Sequence, residues 1–167
     1  MTIAVGERLP EATLTETTEF GEACPISPHN VSVAEATRGK RIALFALPGA
    51  YTPTCSAQHV PGYLALYEAL RAKRIDEIWC VSVNDAYVMA AWGREQGALG
   101  KIRFLGDGNA EFTRKIGLDR DQTASGMGVR SRRYSMLIDD GVVKSLNLEA
   151  PGKFEVSDAK TFLSQLG

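Results

Sequence analysis

The segments RIALFAL (41–47) and EIWCVSV (77–83) decide most of what this chain can fold into. Each is a compact, mainly apolar run of strand length, without the alternation of a strand that has one face in water, so both read as strands buried on two faces. Between them Val60, Tyr63, Leu64, Tyr67 and Leu70 recur at three- and four-residue spacing, the stripe of an amphipathic helix. Two buried strands joined by a helical crossover make a parallel β-α-β unit. Pro61 lacks the N–H for one helical rung, so it kinks or restarts that helix.

The pattern continues to the far end. AYVMAAWGREQG (86–97) is a second helix closed by Gly97, KIRFLGD (101–107) a third strand, and NAEFTRKIG (109–117) a short helix with an Asn cap. RYSMLID (133–139) and VVKSLNL (142–148) flank Asp140-Gly141, a hairpin signal, and SDAKTFLSQL (157–166) is a closing helix with a Ser cap. ATLTET (12–17) reads as a short edge strand, and residues 20–40 as irregular. A β-α-β start with a β-β-α end is the outline of a thioredoxin-like α/β fold, a mixed central sheet with helices on both faces. No repeat or linker divides residues 1–167, and the expectation is one domain.

Composition excludes some functions. A net charge of −1 gives no electrostatic reason to bind nucleic acid or an anionic membrane, and no apolar run approaches the ~20 residues that span a bilayer. The opening MTIAVGERLPEATL lacks a basic stretch followed by an apolar core. Three irregularly spaced cysteines, Cys24, Cys55 and Cys80, do not form a disulfide framework. A reducing, cytoplasmic compartment is expected. His29 and His59 are the only histidines and neither lies at ligand spacing from a cysteine, so no metal site is expected; no phosphate-binding glycine loop is present either.

Chemistry concentrates in ALPGAYTPTCSAQHVPGY (46–63). Cys55 follows the first central strand and opens the next helix, in the crevice where α/β sheets bind ligands. A helix N-terminus favours thiolate, Thr52 and Thr54 bring hydroxyls able to donate, and Pro48 and Pro53 stiffen the loop. Ionisation alone is insufficient: an ordinary thiol is already about three per cent thiolate at pH 7, so full ionisation gains at most ~30-fold. Rapid chemistry also needs donors aimed at charge developing on a leaving group. Arg130, Arg132 and Arg133 stand at the start of a strand, and one of them could reach the sulfur.

PGAYTPTC resembles the P-x-x-x-T-x-x-C signature of peroxiredoxins; SAQHVPGY, VSVNDAYVMAAWG (81–93) and RYSMLIDDGVVKSLNLE (133–149) extend the similarity to the type II, atypical subfamily. The resemblance implies that Cys55 is the peroxidatic cysteine, that Thr52 holds thiolate and peroxide, that Pro48 shields the sulfur, and that Arg133 is the active-site arginine, with Arg132 the fallback. It places His59 in the active-site helix in a packing or helix-level hydrogen-bonding role. It implies a peroxidase acting on hydrogen peroxide and alkyl hydroperoxides through a sulfenic acid, without a bound cofactor, and a homodimer. Some relatives carry a resolving cysteine after the hairpin; here EAPGKFEVSDAK (149–160) has none. Cys80 is expected in the core and Cys24 in an exposed loop. The expected cycle therefore uses one cysteine, with glutathione and glutaredoxin, or thioredoxin, as external reductant. The alternative is a peroxide sensor or chaperone-like protein signalling through oxidised Cys55.

Overall fold

The computed structural model describes all 167 residues. Strand β5 (Arg41–Ala46) lies inside a seven-stranded mixed sheet, with β6 (Glu77–Ser82) and β7 (Ile102–Gly106) parallel to it. On its other side runs the antiparallel hairpin of β10 (Tyr134–Asp139) and β11 (Val142–Leu148). Beyond β7 come β1 (Thr13–Glu16) and then β4 (His29–Ser32), both antiparallel to their neighbours.

The alternation of β5 sorts its side chains. Ile42, Leu44 and Ala46 enter one cluster of 19 buried residues, covered by α1 (Val33–Thr37) and α5 (Glu111–Lys115) through Val33 and Phe112. Ala43, Phe45 and Leu47 enter a second cluster of 17, covered by α2 (Val60–Ala65), α3 (Tyr67–Ala72), α4 (Ala86–Glu95) and α6 (Ala159–Ser164). Both Cys55 and Cys80 belong to this second cluster. Helices thus cover both faces, as the two-sided apolar runs require, and none is long and apolar enough to cross a membrane.

Several local expectations are corrected. β1 is not an edge strand, because β4 pairs along its outer side. Residues 20–40 are not irregular: they hold part of the small β2–β3 hairpin (Glu19–Phe20 with Pro25–Ile26), then β4 and α1, all too short to leave a periodic signal. Helix α5 is capped by buried Asp107 rather than Asn109: its carboxylate accepts the amides of Phe112 and Thr113 at 3.2 and 2.8 Å across a left-handed Ala110. Asp158, not Ser157, caps α6 through the amide of Thr161. A further hairpin, β8 (Asp119–Gln122) with β9 (Gly128–Ser131), precedes β10.

Candidate active site

The loop after β5 is pinned from several sides. Arg130 donates to the carbonyls of Pro48, Val83 and Met127, and the amide of Ala50 bonds Asn84 Oδ1 at 3.0 Å. Ser82 donates to the same Asn84 oxygen at 2.7 Å, tying the loop to the end of β6. Tyr51 sits at φ 65°, a left-handed geometry costing a non-glycine residue ~1 kcal/mol or more, so the surroundings hold the loop against local strain. The amide of Ser56 bonds the carbonyl of Thr52 at 3.0 Å, making the first helical rung. Pro53 then falls in the first turn, where its missing N–H costs nothing, and Cys55 in the same turn offers an amide without an intrahelical acceptor.

From Cys55 to His59 the helix widens into a π-turn, and Pro61 lies in the first turn of the ordinary helix that follows, so it restarts the helix. A π-turn inserts an extra residue and is common at functional sites. Cys55 and His59, four residues apart, lie on the same inward side, and each is fully buried.

Arg133 is the arginine that reaches the sulfur. Its Nη2 donates to Cys55 Sγ at 3.2 Å, and its Nη1 lies 2.9 Å from His59 Nδ1. The sheet register explains this: Tyr134 pairs with Ala46, so the residue before β10 arrives at the C-terminal end of β5, where the cysteine loop begins. Arg130 instead holds the loop, and Arg132 turns to the carbonyl of Glu149.

His59 does more than pack. Its Nε2 lies 3.1 Å from the carbonyl of Ser157, which can only accept, so Nε2 carries the proton and Nδ1 is free to accept from Arg133. Burial first, and the Arg133 charge second, push its pKa down to about 3, which keeps the ring neutral as this geometry requires. Ser157 is in turn fixed by Glu149, whose carboxylate accepts the amides of Glu155, Val156 and Ser157 and the Ser157 hydroxyl at 2.7–2.9 Å. Burial raises the pKa of Glu149, but these donors outweigh it and the net shift is downward. Tyr63, stacked on Phe45, donates to the same Ser157 carbonyl.

Thr52 lies beside the sulfur pocket, but its hydroxyl hydrogen is committed to the Gly49 carbonyl at 2.7 Å. It therefore presents lone pairs, correcting the expectation of a donor. Pro48, Thr52, Arg133 and Phe154 line a pocket of about 360 Å³ above buried Cys55. A larger cavity of about 550 Å³ opens at the other end of β6 and β7, around Tyr67, Arg71 and Lys101, and no cysteine lines it. Cys80 pairs in register with Phe45 and is fully buried; burial chiefly raises its thiol pKa well above the usual value. Cys24 is exposed, at the β2–β3 turn.

A redoxin family model matches residues 4–163. Peroxiredoxin-2B of Arabidopsis thaliana is 42% identical over 98% of both chains. The chloroplastic peroxiredoxin-2E of the same plant is 48% identical over 98% of this chain and 69% of its own. The chain is a peroxiredoxin. Reduced Prx3 from Vibrio vulnificus, in complex with hydrogen peroxide, superposes with a TM-score of 0.92 at 49% identity, covering 99% of this chain and 100% of that one. Membership makes this peroxiredoxin a thiol-dependent peroxidase with the thioredoxin-like fold. Sequence reading missed the positioning roles of Asn84, Glu149 and Ser157 in this peroxiredoxin and left Arg130 only as a candidate for the sulfur. Asn84, Arg130 and Ser157 act through partners distant along the chain, and Glu149 through the backbone of the irregular segment that follows it. The one signal for Glu149 was an acid directly after an otherwise apolar-polar strand.

Proposed function

We propose that Cys55 is the peroxidatic cysteine of a one-cysteine cycle. Its thiolate attacks one peroxide oxygen, the O–O bond breaks, and the departing hydroxide or alkoxide takes a proton, leaving a sulfenic acid. Arg133 orients the sulfur and the incoming oxygen and meets negative charge as it moves from sulfur to the leaving oxygen. Thr52 accepts the O–H of the peroxide, and Pro48 limits water at the sulfur. An external thiol then attacks the sulfenic sulfur and water leaves; a second thiol frees Cys55. Glutathione with glutaredoxin, or thioredoxin, fills that role, so no bound cofactor is needed. Hydrogen peroxide and alkyl hydroperoxides are the substrates.

The reading is carried by the 3.2 Å approach of Arg133 Nη2 to Cys55 Sγ beneath the 360 Å³ pocket. The one-cysteine cycle is supported by Cys80 being enclosed in the core and Cys24 lying exposed on a separate hairpin. A homodimer in the cytoplasm completes the proposal. Tyr51 and Tyr87, 50% and 47% exposed beside the site, offer the apolar patch for such contact.

Peroxide consumption measured in parallel with glutathione/glutaredoxin and thioredoxin/reductase tests the cycle. Cys55→Ser abolishes turnover with both, whereas Cys80→Ala retains most of it. The opposite pattern, or a Cys24–Cys55 disulfide found by mass spectrometry after peroxide treatment, overturns the assignment.

A further inference from the structure

The pocket above Cys55 carries charge that the peroxide step does not use. Arg120, Arg132 and Lys153 line it together with Arg133, and the only acid in the lining is Glu149. That carboxylate is turned inward and occupied by three amides and a hydroxyl, with the residue 4% exposed, so it does not neutralise the mouth. None of the three outer cations has a carboxylate within 4.0 Å, although the chain has 20 acidic residues against 19 basic ones. Arg120 also stands directly across the β8–β9 ladder from Arg130, and like charges at opposed positions cost stability. Arg130 is held by carbonyl oxygens, which leave its charge in place. A small neutral peroxide needs none of this.

We propose that Arg120, Arg132 and Lys153 form a carboxylate subsite at the mouth, which holds a carboxylate-bearing reactant while its reacting atom reaches Cys55. The inference rests on the reading of Cys55 as the reacting sulfur. Arg132 spends one N–H on the Glu149 carbonyl at 3.4 Å and keeps its other donors for a ligand. The pocket volume lies within the range that takes a small ligand. Two reactants could bring the carboxylate: the reducing thiol or the hydroperoxide.

Stopped-flow fluorescence separates them, with Trp92 as the probe of the sulfur's oxidation state because it donates to Ser56 at 3.0 Å, one residue from the sulfur. In the thiol arm, Cys55 sulfenic acid is reduced by 3-mercaptopropionate or glutathione and, for comparison, by 2-mercaptoethanol and cysteamine, with rates expressed per thiolate. In the peroxide arm, reduced protein is oxidised by a fatty-acid hydroperoxide and by its methyl ester. A carboxylate advantage of roughly 5- to 10-fold in either arm, falling as salt is raised and reduced to near unity in Arg120→Gln/Lys153→Gln, supports the subsite and names its ligand. Arg132→Gln should likewise lower the ratio. Ratios near one in both arms, or a ratio the double variant keeps, overturn the subsite. If hydrogen peroxide leaves Cys55 unoxidised, the underlying reading fails instead, and the two failures are read from different reagents.

Discussion

At the scale of single residues, the site works by assigning each polar atom one task. Arg133 uses one arm of its guanidinium on the sulfur and the other on His59. A lysine could not bridge both, being a point charge without the planar fork. Arg133→Ala should therefore slow sulfenic acid formation by about 10²-fold or more, Arg133→Lys should recover only part, and Arg132→Ala should cost less than either. Single-turnover oxidation by hydrogen peroxide, followed through Trp92, measures all three. His59 makes a prediction with a definite sign. Its folded pKa is about 3 against an ordinary 6.5, so between these values the unfolded chain binds a proton that the folded one refuses. Stability is thus lost as pH falls through that window, by up to about 1.4 kcal/mol per pH unit. In His59→Gln, whose amide can donate to Ser157 and accept from Arg133, the denaturation midpoint should fall less steeply between pH 6 and about 4. An unchanged slope would assign the acid sensitivity elsewhere.

At the scale of elements, the site depends on joints. The segment from Glu149 to Ser157 connects β11 to α6, and its fold is fixed by one buried carboxylate gathering four donors. Glu149→Gln replaces an anion with a neutral amide and turns an NH₂ toward those donors, costing ~2–4 kcal/mol. Because Ser157 sets the His59 tautomer and His59 sets Arg133, the same change should slow peroxide oxidation even at temperatures where the variant is fully folded. Circular dichroism alongside stopped flow separates the two effects. Helix α4 makes another close joint. A Cβ on Gly93 would lie 2.6 Å from the Phe104 ring of β7, so α4 packs directly on the sheet. Gly93→Ala should destabilise by ~1–3 kcal/mol, lowering Tm by several degrees for a chain of this size.

At the scale of the whole molecule, the sheet carries a core on each face and brings β5, β6 and β10 together at one end, where the loop that carries Cys55 lies. Exposed Tyr51 and Tyr87 occupy that end as well, Tyr51 being 6.3 Å from Trp92 between ring centres. If a second copy covers them, Tyr87→Glu should shift the protein from dimer to monomer in sedimentation, since a carboxylate buried in an apolar contact is strongly disfavoured. A wild-type protein that sediments as a monomer at micromolar concentration counts against the proposed dimer.

The amino-acid sequence alone determined the two-sided strands, the helices with clear stripes, the hairpin at Asp140-Gly141 and the loop that carries Cys55. These are local: a period of two or 3.6 residues, a turn dipeptide or a rigid cysteine loop is complete within a few residues. The α5 and α6 caps were misread because Asp107 and Asp158 competed with neighbouring residues that have equal intrinsic capping ability. Residue patterning left open which of Arg130, Arg132 and Arg133 faces the sulfur; the family resemblance pointed to Arg133, and the pairing of β10 with β5 in the register Tyr134 to Ala46 is the physical reason it arrives there. The roles of His59 and Ser157 were also settled by segments brought together across 74 to 98 residues of chain. Strand pairing and register are long-range choices set by packing and by the ladder as a whole, and no local pattern encodes them.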